Sequence, residues 1–261
     1  MIDDVLYSAR DRVAVITLNR PAARNAVNPA IATGVEDAVD RLENDPELWV
    51  GLLCANTDGQ ERPVFCAGAD LKVIQQTGDA STLDTERGGF AGFVFRERSK
   101  PIVVLVDGLA VAGGLEIVLA ADIVVATTRA AFGLPEVTKS LVAAAGGLYR
   151  LPRIIGRAAA MDAVLTGQPI DARRAYELGL VSRLVEPAEG MAEALRAAEQ
   201  VVAAAPLAVR ASRRAVNSHL YEEKVVRQLS QQLLADVLAS EDAAEGVAAF
   251  AEKRSPRWAG R

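Results

Sequence analysis

The chain has 261 residues, 51% of them hydrophobic and 24% charged, which lies within ordinary globular statistics and allows one substantial core with a smaller appendage. Its 29 basic and 34 acidic residues give a net charge of -5, which argues against a nucleic-acid binder while leaving a local Arg or Lys cluster free to hold an anionic small ligand. Cys54 and Cys66 have neither metal-finger nor CxxC spacing, the acidic Met1-Ile2-Asp3-Asp4 start is unlike a secretory signal, and no apolar run reaches membrane-spanning length, so the expectation is a cytoplasmic protein without disulfides.

Apolar, β-branched runs at Val13 to Leu18, Val50 to Ala55, Ile102 to Val106 and Ile123 to Ala126 are too continuous for half-exposed strands. They predict a sheet buried on both faces. Asn28-Pro29 forms an N-cap and first-turn pair, after which Ile31, Val35, Ala38, Val39 and Leu42 recur on one helical face. Strands alternating with helices predict an α/β domain. After Gly156 alanine-rich helical stretches dominate, one running from Asp171 to a C-cap at Gly179 and others on either side of Pro206 and onward to Glu252. The predicted division is an α/β core over residues 1–187 and a helical C-terminal portion over residues 188–261, with no internal repeat.

Missing residues remove whole mechanisms. The one histidine, His219, follows no GxSxG elbow and reads as a surface or interface helix residue rather than a hydrolase base. There is no HExxH and no Walker lysine loop, and the glycines of Gly108-Leu-Ala-Val-Ala-Gly113-Gly114 do not spell GxGxxG. That segment instead joins the end of a buried strand to the start of an apolar helix. Its glycines allow a ligand close to the main chain, and the helix start presents unsatisfied N–H groups suited to a developing oxyanion. Tight packing of loop on helix explains the same glycines equally well.

Glu116 stands in the first turn of that apolar helix, where a carboxylate is costly to bury unless paired or functional; a dipole complement or a capping partner also accounts for a first-turn Glu. Glu136 is similarly placed in Phe132-Gly-Leu-Pro-Glu-Val137. Two carboxyls in apolar settings can serve as general acid and general base, their environments separating their pKa values. Phe65-Cys-Ala-Gly-Ala-Asp-Leu-Lys72 is a third segment of small residues, with Asp70 as an N-cap; an ordinary loop-to-helix junction accounts for it in isolation.

Taken together these segments resemble the enoyl-CoA hydratase/isomerase (crotonase) family. Leu18-Asn-Arg-Pro-Ala-Ala-Arg-Asn-Ala-Val-Asn28 is similar to its N-terminal signature, Phe65 to Lys72 to its AGAD segment, and Gly108 to Glu116 to its glycine-rich oxyanion segment. Phe132 to Glu136, Gly146-Gly147 with Arg150-Leu-Pro-Arg153, Leu165 to Ile170 and Gly179-Leu-Val181 follow in the family's order, so the resemblance spans nearly the whole chain.

The resemblance implies a fold of repeated ββα turns wound into a spiral, with a C-terminal helical oligomerisation segment that builds a homotrimer or a hexamer. It implies an oxyanion hole from the amides of Ala67 and Gly113, and coenzyme A contacts from Arg24, Ala67, Gly68, Ala69, Asp70, Leu71 and Lys72. Phe250 and Lys253 match late positions that reach the nucleotide end in a neighbouring subunit, although helix packing and a solvated lysine describe them as well. The implied reaction is reversible hydration of a 2-enoyl-CoA thioester, with Glu116 activating water and Glu136 delivering the proton to the α carbon. The implied partner is an acyl-CoA thioester, coenzyme A arriving as part of the substrate; no cofactor, metal, nucleic acid or membrane is implied.

Two departures stand out. Ala112 replaces the first of three glycines common in relatives, and Val142-Ala-Ala-Ala-Gly-Gly147 with Leu148-Tyr149 replaces a Pro-Gly loop and a Thr-Gln pair beside the expected acyl pocket. Cys66 reads as a small residue packed behind the oxyanion loop, since no base accompanies it. A double-bond isomerase, a specialised dehydratase such as one acting on carnitinyl-CoA, and an idle CoA-binding or RNA-binding relative are the competing readings. Both glutamates and the absence of a basic stretch weigh against the last.

Overall fold

The computed structural model describes residues 3–217 and 223–257. Its strands are β1 (Val5–Arg10), β2 (Val13–Leu18), β3 (Val50–Ala55), β4 (Val64–Cys66), β5 (Asp84–Thr85), β6 (Gly89–Phe90), β7 (Ile102–Val106), β8 (Leu109–Val111), β9 (Ile123–Thr127), β10 (Ala131–Gly133), β11 (Ile170–Asp171) and β12 (Arg183–Val185). A large sheet runs in the order β1-β2-β3-β7-β9-β12, and a second runs β11-β10-β8-β4. Apart from the antiparallel β1–β2 and β10–β11 pairs, all neighbours in these two sheets are parallel.

Chain order explains the pairing. After α1 (Pro29–Asn44), each turn contributes one strand to the large sheet, one to the small sheet, and then helical chain. Thus β3, β4 and α2 (Leu71–Thr77) form one turn, β7, β8 and α3 (Gly113–Ala120) the next, and β9 and β10 lead to α4 (Gly147–Ile155) and α5 (Arg157–Thr166). This is the expected spiral of ββα units, and its stacking places the ends of β4, β8 and β10 side by side.

The large sheet is covered on both faces, as its continuous apolar strands predict. Val50, Leu52 and Cys54 on one face pack against Ala194, Ala197 and Ala198, while Leu53 on the other joins α1 residues Ile31, Val35, Val39 and Leu42. Alternation along β3 therefore fixes its register, since a one-residue slip would exchange the two faces. Helix α1 starts as predicted: the Asn28 side chain accepts from Ile31 N at 2.8 Å and Pro29 occupies the first turn.

Asp171 likewise caps α6 (Ala172–Glu177), accepting from Arg174 N at 2.8 Å. The chain then forms α7 (Gly190–Val202), α8 (Pro206–Asn217), α9 (Glu223–Leu238) and α10 (Glu241–Glu252). The alanines of α7 belong to the large sheet's own core, so the first helix after residue 187 completes that core. Among the described residues no helix is long and apolar enough to cross a membrane. His219 lies outside the described residues.

Candidate active site

Strand β4 delivers the chain to Ala67, and the loop that follows is clamped by main-chain bonds. Val27 N donates to Gly68 O at 2.8 Å and Asp70 N to Val27 O at 2.9 Å. The Asp70 side chain caps α2 by accepting from Lys72 N, and its second oxygen accepts from both terminal nitrogens of Arg20 at 3.1 and 3.2 Å. Arg20 also donates to Ala26 O, tying the N-terminal signature to this loop. Sequence reading passed over Arg20; its place in the Leu18-Asn-Arg signature was the available signal.

One expectation is corrected here. The Ala67 N–H donates to Arg24 O at 3.1 Å and is therefore engaged within the chain. In this loop the Ala69 N–H has no acceptor among the described residues, because the parallel bridge between Val27 and Ala69 uses only the flanking groups. Neighbouring amides along such a bridge point in opposite directions, so Asp70 N faces Val27 O while Ala69 N faces away from it.

The second donor comes from α3. Leu115 N and Glu116 N both bond to Ala112 O, whereas Gly113 and Gly114 present the free first-turn amides of a helix start. Contact between the two loops is direct. A Cβ on Gly68 would lie 3.0 Å from Gly113 N and 2.9 Å from the Ala112 Cβ, and one on Gly114 would lie 2.1 Å from Cys66 O. These glycines are thus required by the close approach of two main chains. Ala112 holds φ 53° and ψ -130° between them, a region that disfavours any residue with a Cβ.

Glu116 lies on the helix that begins with these amides, and its charge acts on Glu136. Glu116 is 3% exposed, and its carboxyl accepts from Gly147 N, the first amide of α4, at 2.9 Å. Burial pushes its pKa up to about 7 against the opposing pull of Gly147 N–H, the Arg150 charge and Ala145 N–H. Glu136 is 9% exposed, one of its oxygens is buried without a hydrogen-bond partner, and it lines a cavity of about 70 Å³ with Leu134, Val137, Leu141, Val142, Leu148 and Val164. Burial, reinforced by the nearby Glu116 charge, pushes its pKa up to about 8. Glu116 is met by two backbone N–H groups and the Arg150 charge, Glu136 by its own N–H and the Lys139 charge with one oxygen left unbonded, an imbalance that favours ionisation of Glu116 before Glu136.

The other predicted positions are more peripheral. Arg24 is exposed, with a left-handed φ of 54°. Leu71 is half-buried and Lys72 exposed at the start of α2. Phe250 on α10 is 59% exposed and lies under Lys139 of the same chain, 5.6 Å from the ring centre, while exposed Lys253 closes α10 with a φ of 54°. The Cys66 thiol is buried and pushed up to about 12, which leaves it a packed apolar group.

The model of the enoyl-CoA hydratase/isomerase family matches residues 8–261. The chain belongs to that family. Among curated proteins it is 38% identical to a carnitinyl-CoA dehydratase of Proteus mirabilis, with all of both chains covered. Among solved structures, a carnitinyl-CoA hydratase from Mycobacterium avium superimposes with TM-score 0.94 at 38% identity, and an enoyl-CoA hydratase from Mycobacterium tuberculosis H37Rv with TM-score 0.77 at 44% identity, each covering both chains fully. The protein is a crotonase-family enzyme of the hydratase/dehydratase type, a hydro-lyase.

Proposed function

We propose that this crotonase-family enzyme adds water reversibly across the double bond of a 2-enoyl-CoA thioester, giving the 3-hydroxyacyl-CoA. The observation that carries the reading is the pair of buried carboxyls with ordered proton affinities beside two free main-chain amides. In this reading the Ala69 and Gly113 N–H groups receive the thioester oxygen. They are already oriented as negative charge develops there, and losing one such donor costs about 100-fold to 1,000-fold in turnover.

Glu116, ionised and held by Gly147 N–H, takes a proton from water as the water oxygen bonds to the β carbon. Electrons move through the double bond into the thioester oxygen, forming an enolate. Glu136, still protonated, gives its proton to the α carbon as the enolate collapses. The net change is one water added, and the two carboxyls have exchanged one proton between them, which returns through solvent or water in the site. Arg24, Gly68, Asp70, Leu71 and Lys72 surround the loop that receives the coenzyme A moiety, Asp70 by fixing Arg20 and α2. Phe250 and Lys253 are assigned to the nucleotide end. We assign the enzyme no cofactor, a cytoplasmic location, and a trimer or dimer of trimers built by its C-terminal helices.

A second reading, dehydration of carnitinyl-CoA, is favoured by the names of the similar proteins. Against it, the residues lining the cavity at Glu136 are aliphatic apart from that carboxyl and include no aromatic ring to receive a trimethylammonium group. The deciding experiment follows enoyl-thioester absorbance with crotonyl-CoA and crotonobetainyl-CoA, using the wild type, Glu116→Gln and Glu136→Gln. Hydration of crotonyl-CoA that both folded variants lose supports the assignment; wild-type turnover in both variants, or isomerisation of a 3-enoyl thioester without hydration, overturns it.

A further inference from the structure

A second cavity, of about 1090 Å³, lies between the core and α8, and none of the residues assigned above to coenzyme A lines it. Eight arginines face it against three carboxylates, Glu43, Glu97 and Asp122, although the chain as a whole is acidic. Two of those carboxylates are already committed. Glu43 accepts from the Ser99 hydroxyl and from Ser99 N and Lys100 N, while Asp122 is shared by Arg98 and Arg213 and also accepts from Ile102 N. Glu97 is exposed. Arg96 pairs with Asp40 outside the lining, and Arg98, Arg213 and Arg150 also donate to the main-chain oxygens of Ala120, Arg98 and Val94; with these pairings counted, the arginines still outnumber the carboxylates around the space.

The guanidinium groups also have unused donors. The Nε–H groups of Arg96, Arg98 and Arg210 are buried with no acceptor, and the Arg98 side chain is only 4% exposed. Burial and the neighbouring charges of Arg213 and Arg150 disfavour the Arg98 cation, against Asp122 as its counter-ion. Buried N–H donors on permanent cations, in a space of ligand size, match a group with many acceptor oxygens and more than one negative charge.

We propose that this cavity is a binding site for a multivalent phosphate anion, distinct from the catalytic site. Phosphate suits it because guanidinium forks donate two parallel bonds to a phosphate edge, and several forks surround one space. A neutral ligand would leave the charge excess uncompensated.

The test uses the full-length wild-type enzyme and inorganic pyrophosphate, with sodium chloride holding ionic strength constant so that general screening cancels. Isothermal titration should show saturable binding that persists at saturating coenzyme A, separating this site from the assigned substrate site. Arg210→Gln/Arg214→Gln leaves the Asp122 pairs intact; it should weaken pyrophosphate binding about tenfold or more while enoyl-thioester turnover is unchanged. Arg153→Gln on α4 is a second variant expected to weaken binding should the double variant fail to fold. No saturable binding by the wild type, complete displacement by coenzyme A, or unchanged binding in these variants overturns the proposal. So does a variant whose subunits dissociate in sedimentation while the wild type binds no pyrophosphate, because the arginines would then meet a second copy of the chain. None of these outcomes depends on the hydratase assignment.

Discussion

Replacing Glu136 with Gln should remove that residue's contribution to the pH dependence of stability while abolishing its chemistry. The Glu136 pKa stands at about 8 instead of the ordinary 4.5, chiefly through burial. Its raised folded-state value means that the associated stability is fully present below pH about 4.5 and is lost as pH rises through about 8. Between pH 5 and 8 the native carboxyl keeps its proton while the unfolded one ionises, and each unit of that mismatch costs about 1.4 kcal/mol, so the native state loses about 4 kcal/mol. Glutamine cannot ionise and escapes this loss. Any constant penalty of its buried amide cancels when two pH values are compared. Urea unfolding of wild type and Glu136→Gln at pH 5 and pH 9 should therefore show the variant gaining several kcal/mol relative to wild type over that interval. A stability difference between the two proteins that stays constant across the interval would refute the burial argument, and with it the reason for Glu136 to remain an acid at neutral pH.

Turnover should follow a bell-shaped pH profile with its maximum between about 7 and 8, declining on the acid side as Glu116 gains a proton and on the alkaline side as Glu136 loses one; a flat profile across that range contradicts the paired roles. Ala112→Gly should raise stability by about 1 kcal/mol, the relief of a positive-φ alanine exceeding the added freedom of the unfolded glycine, as read by urea midpoint. Gly114→Ala should lower turnover at least 100-fold, measured on folded protein, since its methyl would meet Cys66 O at 2.1 Å and force the two donor loops apart.

The fold was legible where hydrophobic pattern extends over a whole element. The runs in β2, β3, β7 and β9 and the one-sided stripe of α1 are five or more residues long and carry their own periodicity. Strands β8 and β10 are three residues each, too short to show a period, so the second sheet was visible only through family resemblance. The two glutamates were conspicuous as charges in apolar surroundings. Which main-chain amide is free was not: Ala67 and Ala69 have the same side chain, and only the crossing of Arg24 and Val27 beside the loop decides between them. Arg20 was hidden for a similar reason, because its partner Asp70 lies fifty positions away. The alanines of α7 looked like a generic helix and turned out to be core, since small residues permit a helix to lie close against a sheet.

The most direct measurement is exchange of the α protons of butyryl-CoA in deuterium oxide, followed by proton NMR with wild type, Glu116→Gln and Glu136→Gln. A saturated thioester cannot be hydrated, so exchange reports only the oxyanion amides and the group above the α carbon. Wild type and Glu116→Gln should exchange at rates within about tenfold of each other, and Glu136→Gln should be slower by at least about 100-fold. Exchange by Glu136→Gln at the wild-type rate, or its loss only in Glu116→Gln, would contradict the assignment of the two carboxyls.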